Sequence, residues 1–516
     1  MPASPLDNQL IVTLDRDIVS SSGETVPVIA PFSGLVLHEL PVSSENDVRD
    51  AYARARLEQL AWARAGFAHR RAVLLRAHDL VLERRERMLD IVQSETGKTR
   101  GQAFEEIFQV ASVTRYNALA ARPVLRGGRR RAGIPLVVTT RVRYRPKGVA
   151  GVITPWNYPL SLAAMDVIPA LAAGCGVVQK ADNQGALSIL ALRSAFIEAG
   201  VPEQLWSVVT GDGSTIGSAV TNEADFICFT GSTATGKRVA AQAAENLTGA
   251  SLELGGKNPL LVLDDADPRK AATDAAYACF SSLGQLCVSI ERIYVQRPVA
   301  ADFLREFAEV TGRLKLGGAF DYSTDVGSLT TQAQLDRVSA HVADAVSRGA
   351  TVAAGGRARP DIGPLFFEPT ILTGVTPEME CFATETFGPV VSVTIVDSDQ
   401  EAILAANSSA FGLNASVLSG SPRRAFRVAA AIEAGSVNIN EGYRGSFSSI
   451  DAPMGGVKQS GLGRRNGPEG LLRFVDAMTI SRATGLLQLP RLGREFAGLA
   501  GPMLLLARVL KAVRRR

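Results

Sequence analysis

Two residues, Glu253 and Cys287, have side chains and surroundings that suit covalent catalysis. Glu253 lies in Ser251-Leu-Glu-Leu-Gly-Gly-Lys-Asn-Pro259, and Cys287 ends the stretch Gly284-Gln-Leu-Cys287. A cysteine sulfur can attack a carbonyl carbon, and a carboxylate can act as the base that later activates water. The pair therefore predicts an enzyme that forms a covalent sulfur intermediate and releases it by hydrolysis.

Histidine is the usual partner of a nucleophilic cysteine, but none lies near Cys287 in the sequence. The four histidines are His38, His69, His78 and His341. A free thiol has a pKa of about 8.5, so Cys287 needs a base, a cation or a helix N-terminus to become a thiolate near neutral pH. Glu253 could be that base if partial burial raises its pKa. The alternative is an inert structural thiol, because free cysteine is among the most buried residue types.

A third candidate, Asn157, lies upstream in Thr154-Pro-Trp-Asn-Tyr-Pro159. This segment follows the apolar run Gly148-Val-Ala-Gly-Val-Ile153, which predicts a strand. A side-chain amide fixed at the end of a strand can donate a hydrogen bond to the oxyanion formed when sulfur attacks an aldehyde. Taken alone, the motif would favour a turn asparagine that has only a structural role.

Together these motifs resemble those of the aldehyde dehydrogenase superfamily, from about residue 24 to about residue 482. Three further segments match the family in the same order and resemble its dinucleotide-binding turn, its nicotinamide-ribose segment and its site-closing segment: Phe229-Thr-Gly-Ser-Thr-Ala-Thr-Gly236, Glu385-Thr-Phe-Gly-Pro-Val390 and Pro453-Met-Gly-Gly-Val-Lys-Gln-Ser-Gly-Leu-Gly-Arg464. The segments Cys279–Arg292 and Gly461–Gly470 look most similar to the NADP-dependent succinate-semialdehyde dehydrogenase branch, in its second bacterial type.

The resemblance implies catalytic roles for Cys287, Asn157 and Glu253. Cys287 would attack the aldehyde to give a thiohemiacetal, whose oxyanion is held by Asn157 and the backbone N–H of Cys287. Hydride transfer would leave a thioester, and Glu253 would activate the water that hydrolyses it. No metal is implied. The cofactor-binding residues implied are Thr154, Pro155, Trp156, Lys180, Asp182, Asn183, Gly213, Gly217, Gly231, Ser232, Gly236, Leu254, Glu385 and Phe387.

The cofactor preference depends on Lys180-Ala-Asp-Asn183, where many relatives have Lys-Pro-Ser-Glu. In the family that glutamate binds the ribose hydroxyls and repels a 2′-phosphate, so Asn183 should tolerate NADP. Asp182 would restore the repulsion if it faced the ribose. We therefore predict NADP as the cofactor, with NAD as the alternative.

For the substrate, the resemblance points to succinate semialdehyde. A distal carboxylate favours an arginine at the pocket mouth, and Arg444 lies in the segment where the family has its substrate loop. Tyr443 and Phe447 of the same loop would also suit an apolar tunnel. One alternative is therefore a broad-range dehydrogenase of fatty or aromatic aldehydes, for which the apolar tail would allow action at a membrane. The other is a non-catalytic homologue that serves as a structural or binding protein.

The α/β fold implied by the family contains two Rossmann-like, doubly wound parallel-sheet domains and a small β oligomerisation element. Residues 1–131 and 148–254 would form the dinucleotide-binding domain and residues 255–452 the catalytic domain. Residues 132–147 and 471–485 would supply oligomerisation strands, which implies a homodimer or homotetramer. Independently of the resemblance, apolar runs alternate with helical stretches between residues 148 and 254, as in a parallel sheet.

The composition is that of a large enzyme rather than a nucleic-acid-binding protein. The chain has 516 residues, 46% hydrophobic content and a net charge of +4, which is small for this length. Its five scattered cysteines indicate neither a disulfide framework nor a zinc site. The N-terminus lacks the pattern of a secretory signal, so we expect a cytoplasmic enzyme.

Residues 486–516 form an apolar and basic tail. Phe496–Ala507 is a run of twelve uncharged residues followed by the basic segment Arg508–Arg516, and it is too short for the ~20 residues that span a bilayer. It could instead lie on an anionic membrane as a basic amphipathic helix. The interpretation that we favour is packing on the enzyme itself or on a neighbouring subunit, for example as a lid over the substrate entrance, because we expect Pro502 to break the helical run.

Overall fold

The computed structural model describes residues 4–486 and 488–513, in which strands and helices alternate along most of the chain. The strands are β1 Thr25–Ile29, β2 Val36–Pro41, β3 Gly128–Arg130, β4 Val138–Pro146, β5 Val149–Ile153, β6 Gly176–Lys180, β7 Trp206–Val209, β8 Phe226–Thr230, β9 Gly249–Glu253, β10 Asn258–Val262, β11 Ile290–Gln296, β12 Thr351–Ala354, β13 Thr370–Thr373, β14 Val390–Val396, β15 Phe411–Gly412, β16 Asn414–Leu418, β17 Ser436–Ile439, β18 Val457–Lys458, β19 Gly461–Leu462 and β20 Val475–Ala483. The helices are α1 Asn8–Asp15, α2 Glu45–Glu83, α3 Arg85–Thr96, α4 Arg100–Leu125, α5 Pro159–Ala173, α6 Ala186–Ala199, α7 Ile216–Glu223, α8 Thr233–Glu245, α9 Pro268–Phe280, α10 Arg297–Arg313, α11 Gln332–Ser347, α12 Glu380–Ala383, α13 Asp399–Asn407, α14 Pro422–Ala429, α15 Arg444–Phe447, α16 Gly467–Leu472 and α17 Gly493–Ala512.

The first large sheet has six strands in the order β19-β9-β8-β5-β6-β7. Its strands pair in parallel, except that the short β19 runs antiparallel to β9. Alternate side chains of β5 pack into two different hydrophobic cores. Ala150 and Val152 belong to one core, and Val149 and Ile153 belong to the other. Because successive side chains of a strand point to opposite faces, helices cover both faces, as a doubly wound sheet requires.

The second large sheet has seven strands in the order β12-β13-β14-β11-β10-β16-β17. All pair in parallel except β12, which is antiparallel to β13. Leu260 and Val262 of β10 pack into one core, and Leu261 into another. Both faces of this sheet are therefore buried, and the predicted α/β fold with two doubly wound sheets is confirmed.

A third, small antiparallel sheet has the order β20-β4-β3. β4 and β20 pair over nine residues each, from Val138 opposite Ala483 to Pro146 opposite Val475. Alternate residues of β4 are exposed, and so is most of β20. β20 is an edge of this sheet and β17 is an edge of the second large sheet, so each offers backbone groups to a further strand.

Local sequence patterns explain two helix boundaries. Ser44 and Asp47 form a capping box, which satisfies N–H groups at the start of α2. Pro502, in contrast, does not break the tail as expected, since α17 continues from Gly493 to Ala512. The carbonyl that the proline leaves without a helical partner belongs to Gly498, which is exposed to solvent. No helix in the described part of the chain is long and apolar enough to cross a membrane.

Candidate active site

Cys287, Glu253 and Asn157 line one cavity of about 170 Å³ between the two large sheets. A groove of about 600 Å³ runs along the first sheet and shares five wall residues with this cavity, so the two form one cleft. The shared residues are Pro155, Trp156, Thr230, Gly231 and Ser232. The structure therefore brings the three predicted catalytic residues together, although they are far apart in the sequence.

Asn157 follows β5 and precedes α5, and its environment fixes both its side chain and its backbone. The side-chain amide donates a 3.0 Å hydrogen bond to the carbonyl of Gln285, two residues before Cys287. The Lys98 ammonium donates to the Asn157 carbonyl at 2.7 Å and forms a buried ion pair with Glu106. The second N–H of the amide remains for an oxyanion on the sulfur-bound carbon.

The loop before Cys287 has a backbone conformation that few sequences adopt. Ser282, Leu283 and Gly284 have successive positive φ angles of 48°, 53° and 71°. A Cβ atom on Gly284 would lie 2.1 Å from the carbonyl oxygen of Gly388, so only glycine fits at this position. This loop presents the Cys287 thiol to the cavity, and the Asn258 amide donates to the Cys287 carbonyl at 2.8 Å.

The Cys287 thiol is protonated at neutral pH in the free enzyme. Burial, assisted by the nearby carboxylates of Glu253 and Glu385, raises its pKa to about 12. The backbone N–H of Val288 acts in the opposite direction. Nucleophilic attack therefore requires a group that accepts the thiol proton as the sulfur–carbon bond forms.

Glu253, at the end of β9, has the pKa needed for that role. Burial raises the pKa of its carboxyl to about 7, while Arg465 and Arg464 oppose this shift. Its Oε1 is buried without a hydrogen-bond partner among the residues that the structure describes. A carboxylate that ionises near pH 7 and is not engaged elsewhere can accept a proton from a thiol or from water.

A buried ion-pair network connects the C-terminal part of the chain with this base, and the sequence analysis did not find it. Arg465 donates from Nε to Asp166 of α5 at 2.9 Å, and Arg473 donates to the same carboxylate at 2.7 Å. Arg465 also contacts the Thr230 hydroxyl. Asp166 and Arg465 are 299 positions apart, so no local pattern marks them as partners.

Glu385 and Phe387 lie on the opposite wall, as parts of the second α/β unit. Glu385 accepts a 2.7 Å hydrogen bond from the Gly256 N–H, and burial together with Glu291 raises its pKa to about 8. Phe387 packs edge-on against Trp156, with ring centroids 5.8 Å apart. Leu254 lines the same cavity, and so does Arg337 of α11, which the sequence analysis missed because it lies outside every recognised motif.

Most of the predicted cofactor residues line the groove. They are Thr154, Pro155, Trp156, Lys180, Asp182, Gly213, Gly217, Gly231 and Ser232. Leu254, Glu385 and Phe387 line the neighbouring cavity instead, and the two remaining predicted residues line neither space. Asn183 accepts a 2.9 Å hydrogen bond from the Gly211 N–H, and Gly236 is buried where a Cβ would lie 2.3 Å from the Leu254 side chain. Arg238 and Asp212 also line the groove but were not predicted.

The groove suits a dinucleotide. Its walls include the loop before α8, whose first turn is capped by Ser232, and a helix N-terminus favours a phosphate. Burial lowers the pKa of Lys180, whereas Asp182 and Asp212 raise it. The groove therefore offers cationic and hydrogen-bonding groups for an anionic cofactor, and its shared wall with the cavity would bring the reactive ring of that cofactor towards Cys287.

An aromatic wall formed by Tyr158, Tyr277, Tyr443 and Phe447 adjoins the loop before Cys287, where the Tyr158 and Ser282 hydroxyls are 2.8 Å apart. These rings contact one another with centroids 5.5 to 6.5 Å apart, and Cys287 packs against the same core cluster. Arg444 lies over the Tyr277 ring at 3.9 Å. Its side chain is 52% exposed and is paired with Glu441, so it lies at the outer end of the wall and does not line the cavity that contains Cys287.

The geometry of this cleft, with a thiol, a carboxylate and an amide beside a dinucleotide groove, agrees with the comparisons with known proteins. The model of the aldehyde dehydrogenase family matches residues 18–480, and the chain belongs to that family. It is an NAD(P)-linked oxidoreductase that acts on aldehydes. This is the reaction class that the sequence motifs predict.

Two mycobacterial relatives are similar over most of the chain. One, from Mycobacterium tuberculosis H37Rv, is named putative succinate-semialdehyde dehydrogenase (NADP+) 2 and is 47% identical over 468 residues, which are 91% of this chain and 90% of the relative. The other, from Mycolicibacterium smegmatis, is named putative succinate-semialdehyde dehydrogenase (NADP+). It is 48% identical over 467 residues, with 90% of each chain covered.

Solved structures of the family have the same fold. Betaine aldehyde dehydrogenase from Staphylococcus aureus in complex with NAD+ has a TM-score of 0.87 and 32% identity, and the match covers 92% of this chain and 95% of the other. An NADP-dependent enzyme from E. coli also has a TM-score of 0.87, with 33% identity and coverage of 90% and 96%.

The raised pKa of Glu253 predicts the pH dependence of the reaction. A carboxyl group with a pKa of about 7 is protonated below that pH, so kcat/KM should rise as the pH passes through about 7. Arg464→Gln removes a charge that lowers the Glu253 pKa, and the inflection should therefore move to higher pH. Initial rates of reduced-nicotinamide formation, recorded across this pH range, would measure the pH of the inflection. Arg423→Gln, at an exposed arginine of α14, is the control, and an equal profile for both variants would contradict this assignment.

Proposed function

We propose that the chain oxidises an aldehyde to its carboxylic acid through a thioester on Cys287. As the sulfur attacks the aldehyde carbon, the thiol proton passes to Glu253 and the Asn157 amide donates to the oxyanion. A nicotinamide cofactor in the groove would supply the acceptor for the hydride that leaves the sulfur-bound carbon, and Lys180 and Ser232 are among the groove residues that would hold it. Glu253 releases the thiol proton to solvent and then removes a proton from the water that attacks the thioester. That second proton passes to the departing sulfur, so the acid leaves and the thiol is restored. The convergence of the three side chains on one cavity is the observation that supports this proposal.

Cys287→Ala tests the covalent role of the thiol. The variant removes only the sulfur atom from a half-buried site, so the protein should fold and bind cofactor while turnover falls by at least about a thousandfold. The control is Cys381→Ala, at another thiol of the second α/β unit, which should retain turnover. Comparable activity in Cys287→Ala and in the control would exclude this mechanism.

We also propose NADP as the preferred cofactor, with NAD as an alternative. Two observations support it: Asn183 carries no charge and is turned towards Gly211, and Arg238 lines the groove with an exposed guanidinium group. The carboxylate of Asp182, which lines the same groove, would repel the negative charge of a 2′-phosphate. Arg238 would compensate for that repulsion by pairing with the phosphate.

Arg238→Gln tests this cofactor assignment. Loss of a cation beside a phosphate should raise KM for NADP about tenfold and change KM for NAD much less. Arg64→Gln, at an exposed arginine of α2, serves as the control. An equal change for the two cofactors would show that Arg238 does not contact the 2′-phosphate.

Succinate semialdehyde is the substrate that we propose. The names of the mycobacterial relatives support it, and so does the position of Arg444 at the outer end of the aromatic wall, where a distal carboxylate could reach a cation. Glu441 holds this guanidinium at 3.0 Å and would share it with the substrate. A second candidate, oxidation of apolar aldehydes, is favoured by the aromatic wall itself, because its buried rings suit an alkyl or aryl chain.

Arg444→Gln distinguishes the two substrate classes. If Arg444 binds the distal carboxylate, KM for succinate semialdehyde should rise about tenfold, while kinetics with hexanal stay unchanged. Arg423→Gln is the control for general loss of surface charge. Wild-type enzyme that prefers hexanal, together with Arg444→Gln kinetics equal to wild type for both aldehydes, would favour the second candidate.

We further infer that the enzyme is a cytoplasmic homodimer or homotetramer that contacts membranes only at their surface. The two open edges at β17 and β20 support subunit pairing. The domain organisation that we propose is residues 1–131 and 148–254 for the cofactor, 255–452 for catalysis, and 132–147 with 471–485 for assembly. Within this arrangement β19 joins the first sheet from a segment that the sequence analysis assigned to no domain.

A further inference from the structure

The small sheet and the tail helix create a surface that the proposed catalytic mechanism does not use. One part is a cavity of about 570 Å³ between β3, β4 and β20, with five arginines in its walls. They are Arg129, Arg130, Arg131, Arg141 and Arg482. None of them forms an ion pair within the described ranges, 4–486 and 488–513. The ion pair found on this element joins Lys147 and Asp476 near the other end of the β4–β20 pair.

The second part is an apolar groove of about 980 Å³ between residues 132–137, the segment around Leu489 and helix α17. Leu499, Met503, Leu506 and Leu510 of the helix line it. The arginine cavity and the apolar groove share Ala132, Pro135 and Leu136. They are therefore neighbouring compartments of one surface, which we call the tail surface.

Helix α17 is itself uncovered by the rest of the described chain. It has no buried residue, and large apolar side chains are exposed along it, among them Phe496, Leu504, Leu505, Val509 and Val513. Arg508 and Lys511 interrupt this apolar surface. Such a helix exposes more apolar area than a water-facing surface element normally does, and its cations make a purely apolar partner unfavourable.

We propose that the tail surface docks on an anionic phospholipid bilayer. The arginine cavity would hold lipid phosphates, and the adjoining groove and α17 would contact acyl chains at the headgroup boundary. The charges are complementary, because the surface combines at least seven cations with apolar area, and no described helix could cross the bilayer. This proposal extends the membrane contact inferred above, and it is independent of whether the catalytic assignment is correct. Subunit pairing would use the backbone edge of β20, whereas lipid contact would use the arginine side chains of the same sheet.

Flotation of the full-length protein with vesicles tests the proposal. The protein should float with phosphatidylcholine vesicles that contain phosphatidylglycerol and remain unbound with phosphatidylcholine alone, and added salt should weaken binding. Each cation at an anionic surface contributes about fivefold to partitioning. The triple variant Arg129→Gln, Arg130→Gln, Arg131→Gln should therefore bind at least about tenfold more weakly. The control triple variant is Arg64→Gln, Arg71→Gln, Arg423→Gln, at exposed arginines of α2 and α14.

A second pair of variants tests the apolar part. Leu504→Asn with Leu505→Asn should also reduce flotation, whereas Leu57→Asn with Leu404→Asn, at equally exposed leucines elsewhere, should not. All these variants should keep wild-type dehydrogenase turnover, which verifies folding, and Cys287→Ala should still float. No flotation with either vesicle, or equal flotation of tail-surface and control variants, would overturn the proposal. A change in oligomeric state in the tail-surface variants without a change in flotation would show an interface between copies, and would also overturn it.

Discussion

The hydrogen bond from the Asn157 amide to the Gln285 carbonyl joins the two large sheets at the place where the chemistry occurs. Asn157 follows β5 of the first sheet. Gln285 lies in the loop that contains Cys287, between α9 and strand β11 of the second sheet. Together with the 2.8 Å contact between the Tyr158 and Ser282 hydroxyls, this junction holds the loop that carries the thiol against the segment that lines the dinucleotide groove. The strained backbone at Ser282, Leu283 and Gly284 is the conformational cost of reaching it.

Burial then determines the electrostatics of the cleft. It raises the pKa of Cys287 to about 12 and that of Glu253 to about 7, so the thiol keeps its proton until a substrate arrives and the carboxylate is ready to take it. The buried Asp166–Arg465–Arg473 network holds the C-terminal segment beside Glu253. Its arginines limit the rise of the Glu253 pKa to about 7, so part of the base is ionised at neutral pH.

The sequence predicted the α/β fold and the three residues that converge in the cavity, because the fold is encoded in repeated local patterns and each catalytic residue lies in a motif. It did not predict Arg465, Asp166, Arg337 or Arg238, since their roles arise only from contacts between distant segments. Asn183 and Arg444 show that a recognisable motif does not fix where a side chain points. Both lie in recognisable segments, yet Asn183 turns to Gly211 and Arg444 pairs with Glu441. The continuous helix through Pro502 was missed because solvent can satisfy the carbonyl that a proline frees.

The most direct test of the catalytic account is mass spectrometry of the Glu253→Gln variant after mixing with cofactor and aldehyde. Without the base that activates water, the acyl group should remain on the enzyme, and digestion should locate the added mass on the peptide that contains Cys287. The wild-type enzyme, which hydrolyses its thioester, should show little of this adduct. An acyl group on a different residue, or steady turnover by Glu253→Gln without any adduct, would contradict the account.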